Sequence, residues 1–463
     1  GNCKQQIGEA VMTESGAEIE RWSRENEIGI SLPGDYRQIA SDGDYASAYS
    51  FEESPCIDFG KFICRVPAAV LSPSSDEELS RCLAYLGREE MPFVVRGRGH
   101  SSGGQGLIDG GVVVELSKLA GVIGDSPSGE LEVGAGASWM AVIRYLAQRG
   151  RRPLVTTSNW WTTIGGTLGV GGFGESSHHL GMQADHVGRL RLATLDGRLQ
   201  DVGPGQELFD YSLASCGVLG VLTSATIQTV EGSWMLQAMP ARWHSVRSFL
   251  SEHASLCDPR AYGSLRARLR WEGSGIPVHG VVGEFGGRSL RETARSLKSE
   301  AETGRCQDID LYEHLSHKPT SRWQQYCPAL EFFLPLSDAD AVLKAIQERI
   351  LEAGLAGYLP EGSAIKPLRF RSRLPMAPYP RCDEGVMVAI RPEVPHALLG
   401  VCLEALAKIS LLIEQAGGSS SSSHDVNSGG GTTALLLLSR LVFVVAILTA
   451  LRVVGVLPLL VRG

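Results

Sequence analysis

Between two apolar runs the chain places the stretch FVVRGRGHSSGGQGLIDGGVVVEL, residues 93–116. Its chemistry-bearing side chains are Arg96, Arg98, His100, Ser101 and Gln105, set among Gly97, Gly99, Gly103, Gly104 and Gly106. Glycines carry no Cβ, so a run of them lets backbone N–H groups approach a ligand closely and form a nest that suits a pyrophosphate. The two arginines add positive charge. A lone histidine is more often a satisfied structural residue than a reactive one, but its setting in a loop of this kind singles His100 out for a role at the ligand. The Rossmann fingerprint does not fit. Ser102 occupies the third glycine slot counted from Gly97 and Gly99, and a second strand follows where that motif needs a helix. A second cluster, TTIGGTLGVGGFG from Thr162 to Gly174, is too dense in glycine for a packed helix and offers another close-approach wall around the same ligand. Each cluster taken alone also reads as a tight turn between packed strands.

Regular elements must hold these loops. A strand is expected over Phe62–Val66, then a helix capped by Ser74 or Ser75, with Asp76, Glu77 and Glu78 at its positive end and Leu79, Cys82, Leu83 and Leu86 on one face. Strands Phe93–Val95 and Val112–Leu116 flank the first glycine loop. The segment GELEVGAGASWMAVIRYLAQRG gives a strand, a turn and a helix from about Trp139 to Gln148, closed by Gly150. Asp196-Gly197 between alternating segments signals a hairpin, and residues 208–232 read as helix, turn and strand. Further on, a long helix is expected with Ser337 as cap and Ala339, Val342, Leu343, Ile346 and Ile350 as its apolar face. Another helix, near 396–415, would return the chain toward its first half. Residues 18–50 are polar with weak periodicity and read as an arm.

At 463 residues the chain exceeds what one hydrophobic core usually serves. Its net charge of −8 provides no basic patch, which argues against nucleic acid as a partner. The ten cysteines show no CxxC pair, which favours buried free thiols in a reducing compartment over zinc or a redox dithiol. Residues 1–30 lack the apolar stretch of a signal peptide, so a cytoplasmic location is expected. The tail differs in character. Residues 417–431 are a Ser/Gly linker, and the apolar run beyond them spans a membrane only if Arg440 or Arg452 is tolerated inside it, at about 2.5–3.5 kcal/mol for a central arginine. A membrane tether, a stretch foreign to the fold and a packed terminal helix all remain open for it.

RGRGHSSGGQG followed by GGVVVEL, then TTIGGTLGVGGFG, then ELFDYSLASCGVLGVLTSATI, resembles the vanillyl-alcohol-oxidase-type (PCMH-type) FAD-linked oxidoreductases, most closely cytokinin dehydrogenase and its bacterial relatives. The similarity is good over residues 59–232 and looser over the next 160 or so. It implies an α+β fold of two domains: an N-terminal arm (1–58), a PCMH-type FAD-binding domain (59–232), a separate α+β substrate domain (233–395), a return helix (396–416) and the linker and tail (417–463). The cofactor implied is FAD. By matched position, His100 would be joined covalently to the 8α-methyl of the flavin, Arg96, Gly97, Arg98 and Gly99 would surround the pyrophosphate, and Ser101 and Gln105 would add contacts. Thr163, Gly165, Gly166 and Thr167 would line the flavin's other side, with Leu222 at its wall. A second, cysteinyl link is not expected, because no cysteine lies between 83 and 215.

The resemblance breaks at three places. Ser158, beside Asn159, stands where plant cytokinin dehydrogenases carry the aspartate that accepts the substrate's proton, and a neutral hydroxyl is no comparable base. The family's Arg-His pair is matched by His179 and Leu180, and nothing after Gly418 resembles the family's closing segment. The activity implied is oxidation of the C–N bond in the side chain of N6-alkyl adenines, with oxygen or a quinone as electron acceptor. An oxidase of sugars, aldonolactones or other alcohols is the alternative, and a flavin-binding protein without catalysis a third. Glu284 and His179 are candidate polar contacts to the small-molecule substrate, and each also reads as an ordinary surface or core residue.

Overall fold

The computed structural model describes residues 13–33, 35, 54–260, 263–271, 275–285, 301–310, 312, 325–359, 363–370, 372 and 374–420. The apolar tail and most of the expected arm lie outside them. Among the described residues the strands form three sheets.

In the first sheet the strands run in the order Gly29–Ser31, Ala69–Ser72, Val112–Glu115, Phe93–Arg96. The last three are mutually parallel. Val112, Val113 and Val114 are buried on both faces, as a central parallel strand requires. Helix Asp76–Arg88 covers one face. Ser75 is its cap, accepting from Glu78 N–H at 3.2 Å, and Leu79, Cys82, Leu83 and Leu86 are fully buried at the spacing the sequence set. Each buried leucine contributes roughly 1.5–3 kcal/mol.

The N-terminal part of this sheet departs from expectation in two ways. The expected strand Phe62–Val66 is instead part of a turn organised by Asp58, and the strand begins beyond Pro67, at Ala69. The polar residues read as an arm include the amphipathic helix Glu14–Glu25, capped by Thr13. Its Ile19 is buried in the first core, and its Trp22 stacks on Tyr85 at 4.1 Å.

The second sheet is antiparallel, with Val122–Asp125, Glu130–Gly134, Val221–Glu231, Val187–Ala193 and Leu199–Val202 in that order, and Arg151–Pro153 on the far end of Val221–Glu231. The hairpin turns at Gly197, whose φ of 82° needs glycine. Helix Trp139–Ala147 packs on this sheet, and its core runs on into Trp234, Leu236 and Ala238.

The third sheet has nine strands. It begins at Met235–Trp243 and holds Ser264–Leu269, Val278–Phe285, Leu330–Pro335, Ser363–Arg369 and Glu384–Ile390. Helix Leu336–Glu352 buries the expected face, but Ser337 lies inside it. Pro335 is the cap residue, because the strand runs straight into the helix. Helix His396–Gln415 packs on the third sheet through Cys402, Leu406, Ile409 and Ile413, and the chain then adds Ser419–Ser420 beside Leu330–Pro335. This helix is long and apolar enough to cross a membrane, and one of its faces is buried in the core.

Cys56, Cys82, Cys257, Cys327 and Cys402 are buried free thiols, each pushed up to about 12 by burial. Cys64 departs from the free-thiol expectation and is disulfide-bonded.

Candidate cofactor site

Strands Phe93–Arg96 and Val112–Glu115 are parallel neighbours, so the chain must cross back between them. A helix usually makes that crossing. Here residues 97–111 make it as a loop, leaving the carboxyl end of Phe93–Arg96, where open parallel sheets bind ligands.

Gly99 has a φ of 72°, and a Cβ on it would lie 2.5 Å from Arg96 Cζ. Arg96 is therefore folded beneath the turn. It is buried, and its Nη2 donates to the Ser54 carbonyl at 2.9 Å. Burial weakens its hold on the proton, while Glu115, Cys56 and Asp58 act in the opposite sense. Gly103 N–H donates to Gln105 Oε1 at 3.1 Å, so that amide curls back on the loop. Arg98 lies over the Trp161 ring at 5.9 Å. His100 is half-buried, and its ring lies 5.7 Å from that of Phe59 at 26°. Phe59 N–H also donates to the Ser101 carbonyl at 3.0 Å. Phe59 is held by Asp58, a buried carboxylate that accepts from Ile63 N–H at 2.9 Å and Gly60 N–H at 3.3 Å.

The second glycine cluster does contain a packed helix, Ile164–Gly169, contrary to expectation. Its glycines permit close docking. Gly165 N–H donates to the Ala135 carbonyl at 2.8 Å, and Ala135 N–H donates to the Thr223 carbonyl at 2.8 Å. A Cβ on Gly165 would lie 3.0 Å from that of Ala135. Thr163 caps the helix, accepting from Gly166 N–H at 3.2 Å. The Thr167 hydroxyl faces the interior, accepting from Trp139 Nε1 at 2.8 Å, and Leu222 is buried in the same core. Gly97 of the first loop abuts Thr163, so the two clusters meet.

Beyond them lies a polar junction with the third sheet. Gly174 bridges Thr157, the neighbour of the exposed Ser158. Glu175 is buried; it is paired with Arg266 and accepts from Ser264 Oγ at 2.9 Å. Lys366 donates to the Gly174 carbonyl, and burial pushes its ammonium down to about 8 against the pull of Glu175. His178 Nδ1 lies 3.0 Å from the Glu175 carbonyl, and His179 Nδ1 lies 3.0 Å from His178 Nε2. Burial, then the charges of Arg152, His186 and Lys366, push His179 down to about 4. Glu284 accepts from Gly263 N–H at 3.0 Å, and its charge acts on Arg152.

A family described as an FAD binding domain matches residues 67–203. An uncharacterized oxidoreductase, ORF5 of the fasciation locus in Rhodococcoides fascians, is 26% identical over 376 residues, 78% of this chain and 84% of that protein. Cytokinin dehydrogenase 2 of Arabidopsis thaliana is 32% identical over 209 residues, 44% of this chain and 40% of the enzyme. For cytokinin dehydrogenase 3 of Oryza sativa subsp. japonica the figures are 29% over 238 residues, 49% and 44%. The similarity thus spans less than half the length of these plant enzymes. The chain is an FAD-linked oxidoreductase with an FAD-binding domain, similar over part of its length to cytokinin dehydrogenases.

FAD is the cofactor of this oxidoreductase, and the glycine loop fits it on physical grounds. A Cβ would collide with Thr163 at Gly97 and with Arg96 at Gly99, so the loop keeps bare backbone there, and arginines stand below and beside it. Of the residues singled out from sequence, the structure brings Gly97 to Thr163, sets Gly165 and Gly166 in the capped turn, and leaves His100, Ser101 and Gln105 on the same loop. Arg96, Thr167 and Leu222 are drawn into supporting packing. Sequence reasoning missed Glu175, His178, Arg266 and Lys366. The one signal was GESSHHLG itself, polar residues closing a glycine run.

Proposed function

We propose that this oxidoreductase holds FAD through a covalent bond to His100 and oxidises the C–N bond in the side chain of N6-alkyl adenines. The observation that carries the proposal is the meeting of the two glycine clusters at Gly97 and Thr163, with His100 half-buried on the loop between them and Phe59. Cytokinin dehydrogenases among the relatives support the substrate class. FAD, when bound, supplies the two-electron acceptor for the hydride of the substrate carbon, and the substrate imine then hydrolyses to adenine and an aldehyde.

The protein's own part is positional. Backbone N–H groups of residues 97–106 would take the pyrophosphate, with Arg98 at its side and Arg96 supporting the turn from beneath. Thr163, Gly165 and Gly166 would line the opposite wall. Residues 59–232 would form the cofactor domain and 233–395 the substrate domain. Oxygen or a quinone would be the electron acceptor. Ser158 supports a second reading, oxidation of sugars or other alcohols, since this exposed neutral residue supplies no carboxylate for an amine.

The test is acid denaturation of the purified protein followed by peptide mass analysis. FAD mass on the peptide containing His100, absent in His100→Ala, is the expected result. Flavin that separates from the wild-type protein removes the covalent link. A flavin-loaded protein that leaves N6-alkyl adenines unchanged but oxidises sugars moves the reading to the second class.

A further inference from the structure

The proposed reading lacks a proton acceptor, because Ser158 stands at the position where a carboxylate was expected. The Thr157–Gly174 bridge places Glu175, at the head of the segment that carries His178 and His179, next to the stretch that leads to that position. A carbonyl can only accept, so His178 Nδ1 must donate to the Glu175 carbonyl across 3.0 Å. In the neutral form of that ring His178 Nε2 accepts, and His179 Nδ1, 3.0 Å away, is then the donor to it. The neutral His179 ring is then left with its lone pair on Nε2. No hydrogen bond among the described residues uses that nitrogen, and it is not one of the buried atoms that lack a partner.

We infer that His179 Nε2 accepts the substrate's N–H or O–H proton, and that the Glu175 carbonyl and His178 position it by fixing its tautomer. Glu175 is itself anchored, since its carbonyl also accepts from Leu265 N–H at 3.0 Å and its N–H donates to the Thr156 carbonyl at 3.1 Å. The groups facing His179 are Arg152 from strand Arg151–Pro153, His186 from the turn Gln183–His186, and Lys366 from strand Ser363–Arg369. The charges of Glu175 and Arg266 act in turn on Lys366. Burial and three cationic or potentially cationic neighbours keep the resting ring neutral by disfavouring the imidazolium, which leaves its basicity near that of an ordinary carboxylate. In the step, the substrate N–H or O–H bond breaks, an Nε2–H bond forms, and the imidazole becomes an imidazolium. The hydride leaves the adjacent carbon with its two electrons for the FAD of the proposed reading, on which this inference rests.

Two measurements on the flavin-loaded, full-length protein separate the inference from that reading. The first is nitrogen NMR of protein carrying 15N-labelled imidazoles, with the His179 signals assigned by their loss in His179→Gln. At pH 5.5 it should show a neutral ring protonated on Nδ1, and a His178→Ala variant should lose that tautomer preference. A charged ring, or one protonated on Nε2, overturns the assignment whatever the substrate is. The second measures turnover of an N6-alkyl adenine, or of the sugar or alcohol donor should that class prove to be the substrate. His179→Gln should keep its flavin content and its reduction by dithionite while kcat falls about 100-fold or more. Undiminished kcat in that variant overturns the proton-acceptor role. A wild type inert to N6-alkyl adenines strikes the substrate reading alone, and the NMR result still decides the tautomer.

Discussion

Gly97 is pressed against Thr163. A methyl group in place of its hydrogen would overlap Thr163 Oγ1 and lie 3.3 Å from Cγ2. Thr163 cannot turn away freely, because Oγ1 caps helix Ile164–Gly169 through Gly166 N–H. Gly97→Ala should therefore lose most of its flavin and destabilise the fold by about 1–3 kcal/mol. Thr163→Ala alone should cost about 1 kcal/mol for the lost cap. In that background Gly97→Ala should become milder, since the colliding oxygen is gone. Flavin-to-protein absorbance ratios and denaturant melts of the four proteins measure the coupling, and simple additivity would show that the contact does not matter.

Thr167, four residues on, is bound into the core instead. Its hydroxyl accepts from Trp139 Nε1 at 2.8 Å and donates to the Ile164 carbonyl at 3.2 Å, both away from the glycine loop. Thr167→Val should leave the buried indole N–H without its acceptor, at about 1–3 kcal/mol, with flavin content unchanged. Urea unfolding alongside the absorbance ratio checks this. A variant of normal stability that has lost its flavin would return Thr167 to the cofactor wall.

The loop between strands Phe93–Arg96 and Val112–Glu115 was readable in the sequence because Gly97, Gly99, Gly103 and Gly104 mark it by residue type alone. Helix Asp76–Arg88 was readable because cap, charge and period agree. Helix Ile164–Gly169 was not, since its glycines are there for close docking on Ala135, a tertiary fact that overrides their poor helix propensity. The junction at Glu175 was hidden by distance along the sequence. Glu175 meets Arg266 across 91 positions, and Gly174 meets Lys366 across 192. Lysine and arginine in alternating strands look like solvent-facing residues until the partner carboxylate is placed between them.

Glu175 is 1% exposed and faces Arg266 directly, with Lys366 within its field. Glu175→Gln should leave two cations confronting each other. Breaking a buried pair costs about 3–5 kcal/mol, and the partial exposure of Arg266 brings the expected loss down to roughly 2–3 kcal/mol. Adding Lys366→Met should recover part of it, because one of the stranded charges is removed. Chemical denaturation of the single and double variants measures that recovery, and a double variant worse than the sum of the singles would contradict it.

Asp58 sets a pH dependence beneath the His100 loop. Burial pushes its carboxyl from 3.8 up to about 7, although the N–H groups of Ile63 and Gly60 pull the other way. Between those two values the native state keeps a proton that the unfolded chain has released, so stability is full below about pH 4 and is lost as pH rises through 7. The loss across that window is on the order of 4 kcal/mol or less. Asp58→Asn gives up one acceptor and should be less stable than wild type at pH 4.5, but it carries no titrating group and should lose far less between pH 4.5 and 7.5. Thermal melts at the two pH values compare the slopes, and equal slopes would mean that Asp58 ionises normally. Because Asp58 positions Phe59, and Phe59 lies against His100, the wild type should also lose order at the flavin loop on the alkaline side. Near-ultraviolet and flavin circular dichroism across the same window should change together in the wild type and stay flat in the variant.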